Sequence, residues 1–259
     1  MHSVNWLYTF SGFCVGMLVG MTGVGGGSLM TPLLILLFGI HPASAVGTDL
    51  LFAAGTKTAG ATVHGANRVV DWRLVRSLAS GSVPAAAVTL LILSQFNLAG
   101  RATQHFLSVA LGTALVVTAA TVILRPHIVA WFARWVGEPH AATARTLTVA
   151  TGALLGCLVS LTSVGAGALG VTALVLLYPR LPTARIVATD IAHAVPLTLV
   201  AGAGHLLLSS VDIQVLGLLL LGSLPGIFIG SQLAVRVPDT ILRLALSGVL
   251  VIVGGRLIL

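Results

Sequence analysis

The chain contains the same pattern twice, and this duplication limits its fold more than any other feature. Residues 14–95 align with residues 154–236 at a spacing of 140, which becomes 141 after one inserted residue. The matched blocks are Val24-Gly25-Gly26-Gly27 with Val164-Gly165-Ala166-Gly167, Thr48-Asp49 with Thr189-Asp190, and Gly81-Ser82-Val83-Pro84 with Gly222-Ser223-Leu224-Pro225. We expect such a chain to fold as two equivalent halves, each interrupted by glycine near its start.

Composition indicates that both halves lie in a membrane. Apolar residues make up 57% of the chain and charged residues 7%, a balance outside the range of soluble domains. Residues 3–40 and 146–178 contain no Asp, Glu, Lys or Arg, and about 20 apolar residues suffice for a helix to cross the hydrocarbon layer. The net charge of +7 comes from arginines between apolar segments, which the positive-inside rule explains better than nucleic-acid binding does.

The expected fold class is therefore all-α, a polytopic transmembrane protein. Each half contains five apolar segments, at about 4–22, 28–39, 44–67, 74–95 and 103–124, and at about 145–163, 167–178, 186–209, 213–234 and 240–258. The second segment of each half is too short to span the bilayer and follows a glycine-rich turn. We interpret each opening pair as a re-entrant hairpin, which survives in a membrane only where protein or a cavity surrounds the freed backbone.

The charges in the loops predict how the halves are inserted. In the first half, basic residues follow segment three, at Arg68, Arg73 and Arg76. In the second half, they precede segment three, at Arg180 and Arg185, and segment five, at Arg236 and Arg243. This exchange is expected if the second repeat has inverted topology. The chain then divides into a first repeat at 1–125, an amphipathic cytoplasmic linker at 126–144 and a second repeat at 145–259. The Trp and Arg residues of the linker favour anchoring at the inner interface over a binding function.

The glycine-rich turns are candidate substrate sites. Their residues are Gly25, Gly26, Gly27 and Ser28 in the first half and Gly165, Ala166 and Gly167 in the second. A nucleotide-binding loop is disfavoured, because no strand precedes the turn and the G-x-G-x-x-G spacing is not met. Glycines that only allow close helix packing are an alternative. We favour a tip near the membrane midplane, where a helix N-terminus directs its N–H groups at an anion.

Lys57 is the only lysine in the chain and lies within segment three, between Thr56 and Thr58. A charge inside a membrane is expensive, so it is a functional candidate. The alternative is a structural ion pair with Asp49 or Asp190; Asp49 is two helical turns away, whereas Asp190 could approach from the other half. The matching position in the second half is Thr198. We favour binding or charge compensation of an anion by Lys57, with hydroxyl bonds from Thr56 and Thr58.

Asp49 and Asp190 end identical Thr-Asp pairs near the start of segment three. Helix capping or backbone bonding is one interpretation. The other is charge compensation or proton coupling, with His193 one helical turn beyond Asp190 and titrating near neutrality.

Together these residues resemble the sulfite exporter TauE/SafE family of bacterial membrane transporters. The resemblance rests on Thr22-Gly23-Val24-Gly25-Gly26-Gly27, Val46-Gly47-Thr48-Asp49-Leu50, Val70-Asp71-Trp72, Ala188-Thr189-Asp190-Ile191-Ala192-His193 and Gly222-Ser223-Leu224-Pro225-Gly226. It covers nearly the whole chain and implies transport of sulfur-containing anions such as sulfite or organosulfonates, usually by export. The second glycine turn departs from the pattern, because Ala166 replaces a glycine.

The favoured function is a secondary transporter, acting as an exporter of a small sulfur-containing anion by alternating access. A passive anion channel is the alternative. An intramembrane enzyme is less favoured, because no nucleophile elbow or metal-ligand pair appears. We expect no catalytic residue, metal or cofactor. The expected partners are a small oxyanion and the lipid bilayer of the cell inner membrane, with no nucleic acid; a homo-oligomer is compatible with the sequence.

Overall fold

The computed structural model describes residues 2–22, 27–66, 69–135, 140–208, 211–233 and 239–259. These residues form ten helices and no strand. The helices are α1 (His2–Thr22), α2 (Gly27–Leu36), α3 (Pro42–Ala66), α4 (Trp72–Leu93), α5 (Arg101–Trp135), α6 (Ala141–Thr162), α7 (Ala168–Leu177), α8 (Thr183–Leu207), α9 (Ile213–Leu233) and α10 (Asp239–Ile258). They coincide with the ten predicted apolar segments, which confirms the all-α class.

The helices fall into long and short classes, as expected for a multi-pass membrane protein. Among the described residues, five helices are long and apolar enough to cross a membrane, namely α4, α5, α6, α8 and α9. Helices α2 and α7 have ten residues each. At 1.5 Å per residue they span about 15 Å, roughly half of the hydrocarbon layer. Their length is compatible with re-entrant hairpins, although that topology stays a prediction.

Only the second of the two glycine-rich turns lies in the described part of the chain; residues 23–26 fall outside it. Between α6 and α7, Ser163, Gly165 and Gly167 have positive φ angles of 59°, 118° and 130°. Gly165 and Gly167 adopt these angles without steric cost because they have no Cβ. The glycines therefore reverse the chain between a long helix and a short one.

Helix α5 extends beyond the predicted end of the first repeat. It runs for 35 residues and includes Pro126, so residues 126–135 of the predicted linker continue a transmembrane helix and do not begin a separate one. A proline removes one backbone hydrogen bond, and neighbouring groups in a helical membrane protein satisfy the carbonyl that it frees. Residues 136–139, which complete the connection to α6, lie outside the described residues.

The two halves exchange helices. Helix α1 packs along α9, and its counterpart α6 packs along α4. The first helix of each half therefore lies against the fourth helix of the other half. Helices α3 and α8, which are equivalent, pack against each other, as do α5 and α10. The fold is thus one body with a repeated internal arrangement, in which neither half has a complete set of neighbours of its own.

Small residues bring the exchanged helices into backbone contact. A Cβ added at Gly222 of α9 would lie 1.8 Å from the carbonyl oxygen of Thr9 in α1. At the equivalent Gly81 of α4, it would lie 2.0 Å from the carbonyl oxygen of Val149 in α6. Membrane helices pack by such close approach, since lipid offers no hydrophobic driving force between them. The glycines of the Gly-Ser-x-Pro blocks therefore hold the two halves together.

The threonine of each Thr-Asp pair also connects the halves. The backbone amide of Asp212, just before α9, donates to the hydroxyl of Thr48 in α3 at 3.2 Å. The backbone amide of Asp71, which caps α4, donates to the hydroxyl of Thr189 in α8 at 3.0 Å. These equivalent hydrogen bonds fix the loop of one half against the central helix of the other.

Candidate functional site

Lys57 lies at the contact between the halves. It is half-buried in α3, and its Nζ donates a hydrogen bond to the carbonyl oxygen of Ala166 at 3.2 Å. Ala166 belongs to the glycine-rich turn that precedes α7, so the lone lysine of the first half reaches the broken helix of the second. An ammonium has three donors, and this bond uses one of them.

Two buried carboxyls share the electrostatic field of this ammonium. Asp49 on α3 and Asp190 on α8 are 0% and 1% exposed. Lys57 interacts electrostatically with both, and more strongly with Asp190 than with Asp49. Asp190 approaches the same turn from the other half, since its Oδ1 lies against Gly170 in the first turn of α7. Among the described residues, no carboxylate oxygen lies within 4.0 Å of Nζ, so Lys57 forms no direct salt bridge there. The salt bridge found in this part of the chain joins Arg185 to Asp71 at 3.3 Å.

The two carboxyls have different hydrogen-bond partners. The hydroxyl of Thr31 on α2 donates to Oδ2 of Asp49. Within the described residues, Asp190 receives no comparable bond, whereas Oδ1 of both carboxyls is buried without a partner. The Oδ1 atom of Asp190 has a distinct neighbour. This oxygen lies against Gly170 in the first turn of α7, where an added Cβ would be 2.1 Å away. Gly170 therefore provides the space in which the Asp190 carboxyl approaches the N-terminus of the short helix.

His193 lies one turn after Asp190 and is completely buried. Its Nε2 is 2.8 Å from the hydroxyl oxygen of Ser82 on α4, while Nδ1 has no partner among the described residues. The histidine therefore connects α8 to α4. The equivalent position in the first half is Phe52. Phenylalanine has no hydrogen-bonding group, so the equivalent polar contact does not form there.

The predicted threonine ligands are bonded elsewhere. Thr56 donates its hydroxyl proton to the carbonyl of Ala53 at 3.1 Å, and Thr58 donates to that of Ala54 at 2.6 Å. A hydroxyl has a single proton, so in this arrangement neither side chain can donate to an anion. Both would have to rotate before acting as predicted, and their role stays a prediction.

The predicted glycine ligands are placed only in part. Gly25 and Gly26 lie outside the described residues, Gly27 begins α2, and Ser28 lies in its first turn without a described side chain. In the second half, Gly165 and Gly167 form the turn, and Ala166 contributes a carbonyl oxygen to Lys57 rather than an N–H to an anion.

Three residues of this cluster were not predicted from the sequence. Ser82 and Gly170 are ordinary in type, and Thr31 follows the first glycine turn in a purely apolar stretch. One signal could have identified Thr31, because its counterpart at a spacing of 141 is Thr172. Repeated threonines in two short apolar helices are a sign that those helices face a polar interior.

The cluster thus combines one ammonium, two buried carboxyls and the N-terminus of a short helix at the contact between the halves. A helix N-terminus and an ammonium both favour an anion. Within the described residues, no group of three His, Cys, Asp or Glu side chains could hold a metal ion. The described cluster thus brings positive groups that favour an anion next to two carboxyls that need the same positive field.

Comparisons with known proteins show which family the chain belongs to. The family model described as Sulfite exporter TauE/SafE matches residues 8–257. The probable membrane transporter protein YjnA of Bacillus subtilis (strain 168) is 39% identical over 255 residues, covering 95% of this chain and 97% of the relative. The probable membrane transporter protein YunE of the same organism is 37% identical over 70 residues, covering 27% of this chain and 26% of the relative. No solved structure matches significantly. The chain therefore belongs to the sulfite exporter TauE/SafE family of membrane transporters.

Proposed function

We propose that this chain exports a small sulfur-containing oxyanion, such as sulfite or an organosulfonate, by alternating access across the cell inner membrane. The observation that carries the proposal is the contact of Lys57 with the carbonyl of Ala166. It places the only lysine of the chain at the break before α7, between the two halves. Membership of the TauE/SafE family supports transport of this class of anion.

The anion would bind at Lys57 and the N-terminus of α7. Two of the three ammonium donors remain for substrate oxygens after the bond to Ala166. The N–H groups of the first helical turn add a favourable field for negative charge. The turn at Gly165 and Gly167, and its counterpart at Gly25, Gly26, Gly27 and Ser28, would close around the anion from opposite halves.

Alternation would come from the repeated arrangement of the halves. The equivalent helix pairs α1–α9 and α4–α6 support two similar bodies that rock about the central helices α3 and α8. Inverted topology, with the linker in the cytoplasm, would make the outward-open and inward-open states related by symmetry. A site at the contact between the halves would then be open to one side at a time.

Uptake of labelled sulfite into proteoliposomes tests the proposal, with the wild type compared with Lys57→Gln. Glutamine keeps a hydrogen-bond donor but removes the charge. Loss of one charge-assisted hydrogen bond is worth about 1.5–3 kcal/mol, which corresponds to about a 10- to 150-fold loss of affinity. Arg185→Gln is the matched control, because it also replaces a basic residue by glutamine. Arg185 lies at the start of α8, its side chain is 46% exposed, and it forms a salt bridge with Asp71.

Three results are informative. Saturable uptake that falls in Lys57→Gln but not in Arg185→Gln supports the site. Equal uptake by all three proteins contradicts it and reduces Lys57 to a structural residue. Single-channel current, without exchange of labelled for unlabelled anion, favours a passive channel over a carrier.

A further inference from the structure

The two Thr-Asp pairs are equivalent in sequence, but their carboxyls have different surroundings. Thr31 donates to Asp49, whereas its counterpart Thr172 donates to the carbonyl of Ala168 at 2.7 Å. Asp190 therefore lacks the hydrogen bond that its counterpart receives. Gly170, which the Asp190 carboxyl contacts, corresponds to Leu29 in the first half. The duplication has thus kept both carboxyls but has left one of them without a neutral partner.

Asp190 and Lys57 both lie at the N-terminal end of α7, since Nζ contacts the carbonyl of Ala166 and Oδ1 of Asp190 lies against Gly170. Helix α8 packs against α3, α4, α6 and α7. Among the described residues, the ionisable side chains near this carboxyl are Lys57 and Asp49 on α3 and His193 on α8. Of these, Lys57 attracts the charged form of the carboxyl. The neighbours that α7 and α6 supply at this carboxyl are uncharged, namely Gly170, against which Oδ1 lies, and Leu155, which lies beside Gly170. On the side of α4, Ser82 bonds the neighbouring His193.

An anion bound to Lys57 would compete with Asp190 for the same positive field. Both would lie beside one ammonium and one helix N-terminus, in a medium where an uncompensated charge is expensive. Asp49 has less need of Lys57, since Thr31 already bonds its carboxyl. The group that must lose its charge when a second anion arrives is therefore Asp190.

We propose that Asp190, and not Asp49, takes up one proton when the substrate anion binds Lys57 and releases that proton when the anion leaves. This inference rests on the function proposed above. The proton passes from water on the side of anion entry to a carboxylate oxygen of Asp190. It returns to water on the other side when the anion leaves and the positive field of Lys57 again stabilises the carboxylate. One proton then crosses the membrane with each anion, and the combined gradient of the two sets the direction.

Labelled methanesulfonate is a suitable probe, because a sulfonate has no proton to exchange near neutral pH. In proteoliposomes with the membrane potential clamped at zero, a gradient of one pH unit, acidic outside, stores 1.4 kcal/mol per proton. One-to-one coupling therefore gives about tenfold accumulation of the anion in the wild type. Asp190→Asn should show no accumulation, although exchange of labelled for unlabelled probe would still report a folded site.

Asp49→Asn is the matched control, because it makes the same change at the equivalent position. Whatever its rate, it should still accumulate the probe about tenfold, since the accumulation ratio depends on coupling and not on speed. Loss of accumulation in Asp49→Asn with retention in Asp190→Asn would overturn the assignment. Accumulation by all three proteins would also overturn it.

Infrared pH-difference spectra test the proton site without a transported substrate. The chain has only five aspartates, so a protonated aspartic acid can be assigned by carbon-13 labelling of its carboxyl. We expect one buried band that titrates in the wild type, remains in Asp49→Asn and disappears in Asp190→Asn. If Asp190→Asn does not fold, Asp190→Glu should move the band out of the labelled aspartate set.

The two readouts separate the proton site from the transport function. A titrating band in a protein that moves neither sulfite nor methanesulfonate would contradict the proposed function but support Asp190 as the proton site. Transport without such a band, or with a band that persists in Asp190→Asn, would overturn the inference and leave the transport function standing.

Discussion

The contact between α1 and α9 leads to a quantitative prediction for Gly222→Ala. The new Cβ would lie 1.8 Å from the carbonyl oxygen of Thr9, and an ordinary contact of about 3.4 Å requires the helices to separate by about 1.6 Å. Because the obstacle is backbone, no side chain can rotate to relieve it. Overpacking of this kind costs about 1–3 kcal/mol, and the higher helix propensity of alanine returns up to about 1 kcal/mol. We expect a net destabilisation of about 1–2 kcal/mol.

The same helix supplies the control. Gly217 also lies in α9, and a Cβ there would meet nothing within 4 Å. Gly217→Ala should therefore leave the free energy of unfolding unchanged or raise it by up to about 1 kcal/mol. The equivalent contact of α4 with α6 gives a second test, since Gly81→Ala would bring its Cβ within 2.0 Å of the Val149 carbonyl oxygen. Its destabilisation should match that of Gly222→Ala.

Thermal unfolding of the purified protein in detergent measures these differences. For a chain of this length, each kcal/mol shifts Tm by about 2–4 °C, so Gly222→Ala should unfold about 2–8 °C below the wild type. A Tm for Gly222→Ala equal to or above that of Gly217→Ala would refute the backbone contact between the exchanged helices. A penalty at Gly222 without one at Gly81 would refute the equivalence of the two contacts.

Two further predictions concern the buried polar contacts. Ser82→Ala removes the hydroxyl that lies 2.8 Å from His193 Nε2, and it should lower the free energy of unfolding by about 1–3 kcal/mol. The control is the equivalent Ser223→Ala, which should be neutral because the Ser223 hydroxyl has no partner among the described residues. Equal Tm shifts for the two variants would contradict the contact. Thr31→Val leaves the buried Asp49 carboxyl without its hydrogen bond and should lower stability by about 1.5–3 kcal/mol, whereas an unchanged denaturation midpoint would show that the bond contributes little.

Local sequence patterns were sufficient to locate the helices. The apolar segments and their glycine interruptions predicted ten helices whose observed ends lie within a few residues, apart from α5. There the pattern placed a boundary near Arg125, because the Trp and Arg residues that follow indicated an amphipathic linker at the membrane interface. The helix continues to Trp135, because a single proline removes one hydrogen bond without separating the flanking turns.

The exchange of helices and the partners within the cluster were not predictable. Gly81 and Gly222 were visible as repeated residues, but the surfaces that they contact, at Val149 and Thr9, have no distinctive residue type. For the same reason Gly170 gave no indication of its contact with Asp190. Lys57 and Asp190 were recognisable, since charged residues are rare in a membrane. The neutral groups that surround them depend on how each helix is rotated about its axis, and a single sequence does not determine that rotation.

The exchanged helices also constrain how such a protein is made and how it arose. Helix α1 leaves the ribosome long before its packing partner α9, which is synthesised nearly two hundred residues later. The nascent α1 must wait in lipid, or beside insertion factors, until most of the chain has been integrated. An ancestral gene encoding one repeat would have left its first helix without a partner in the same chain. Two copies that exchanged this helix would meet the need, and a fusion of their genes would turn assembly between chains into folding within one.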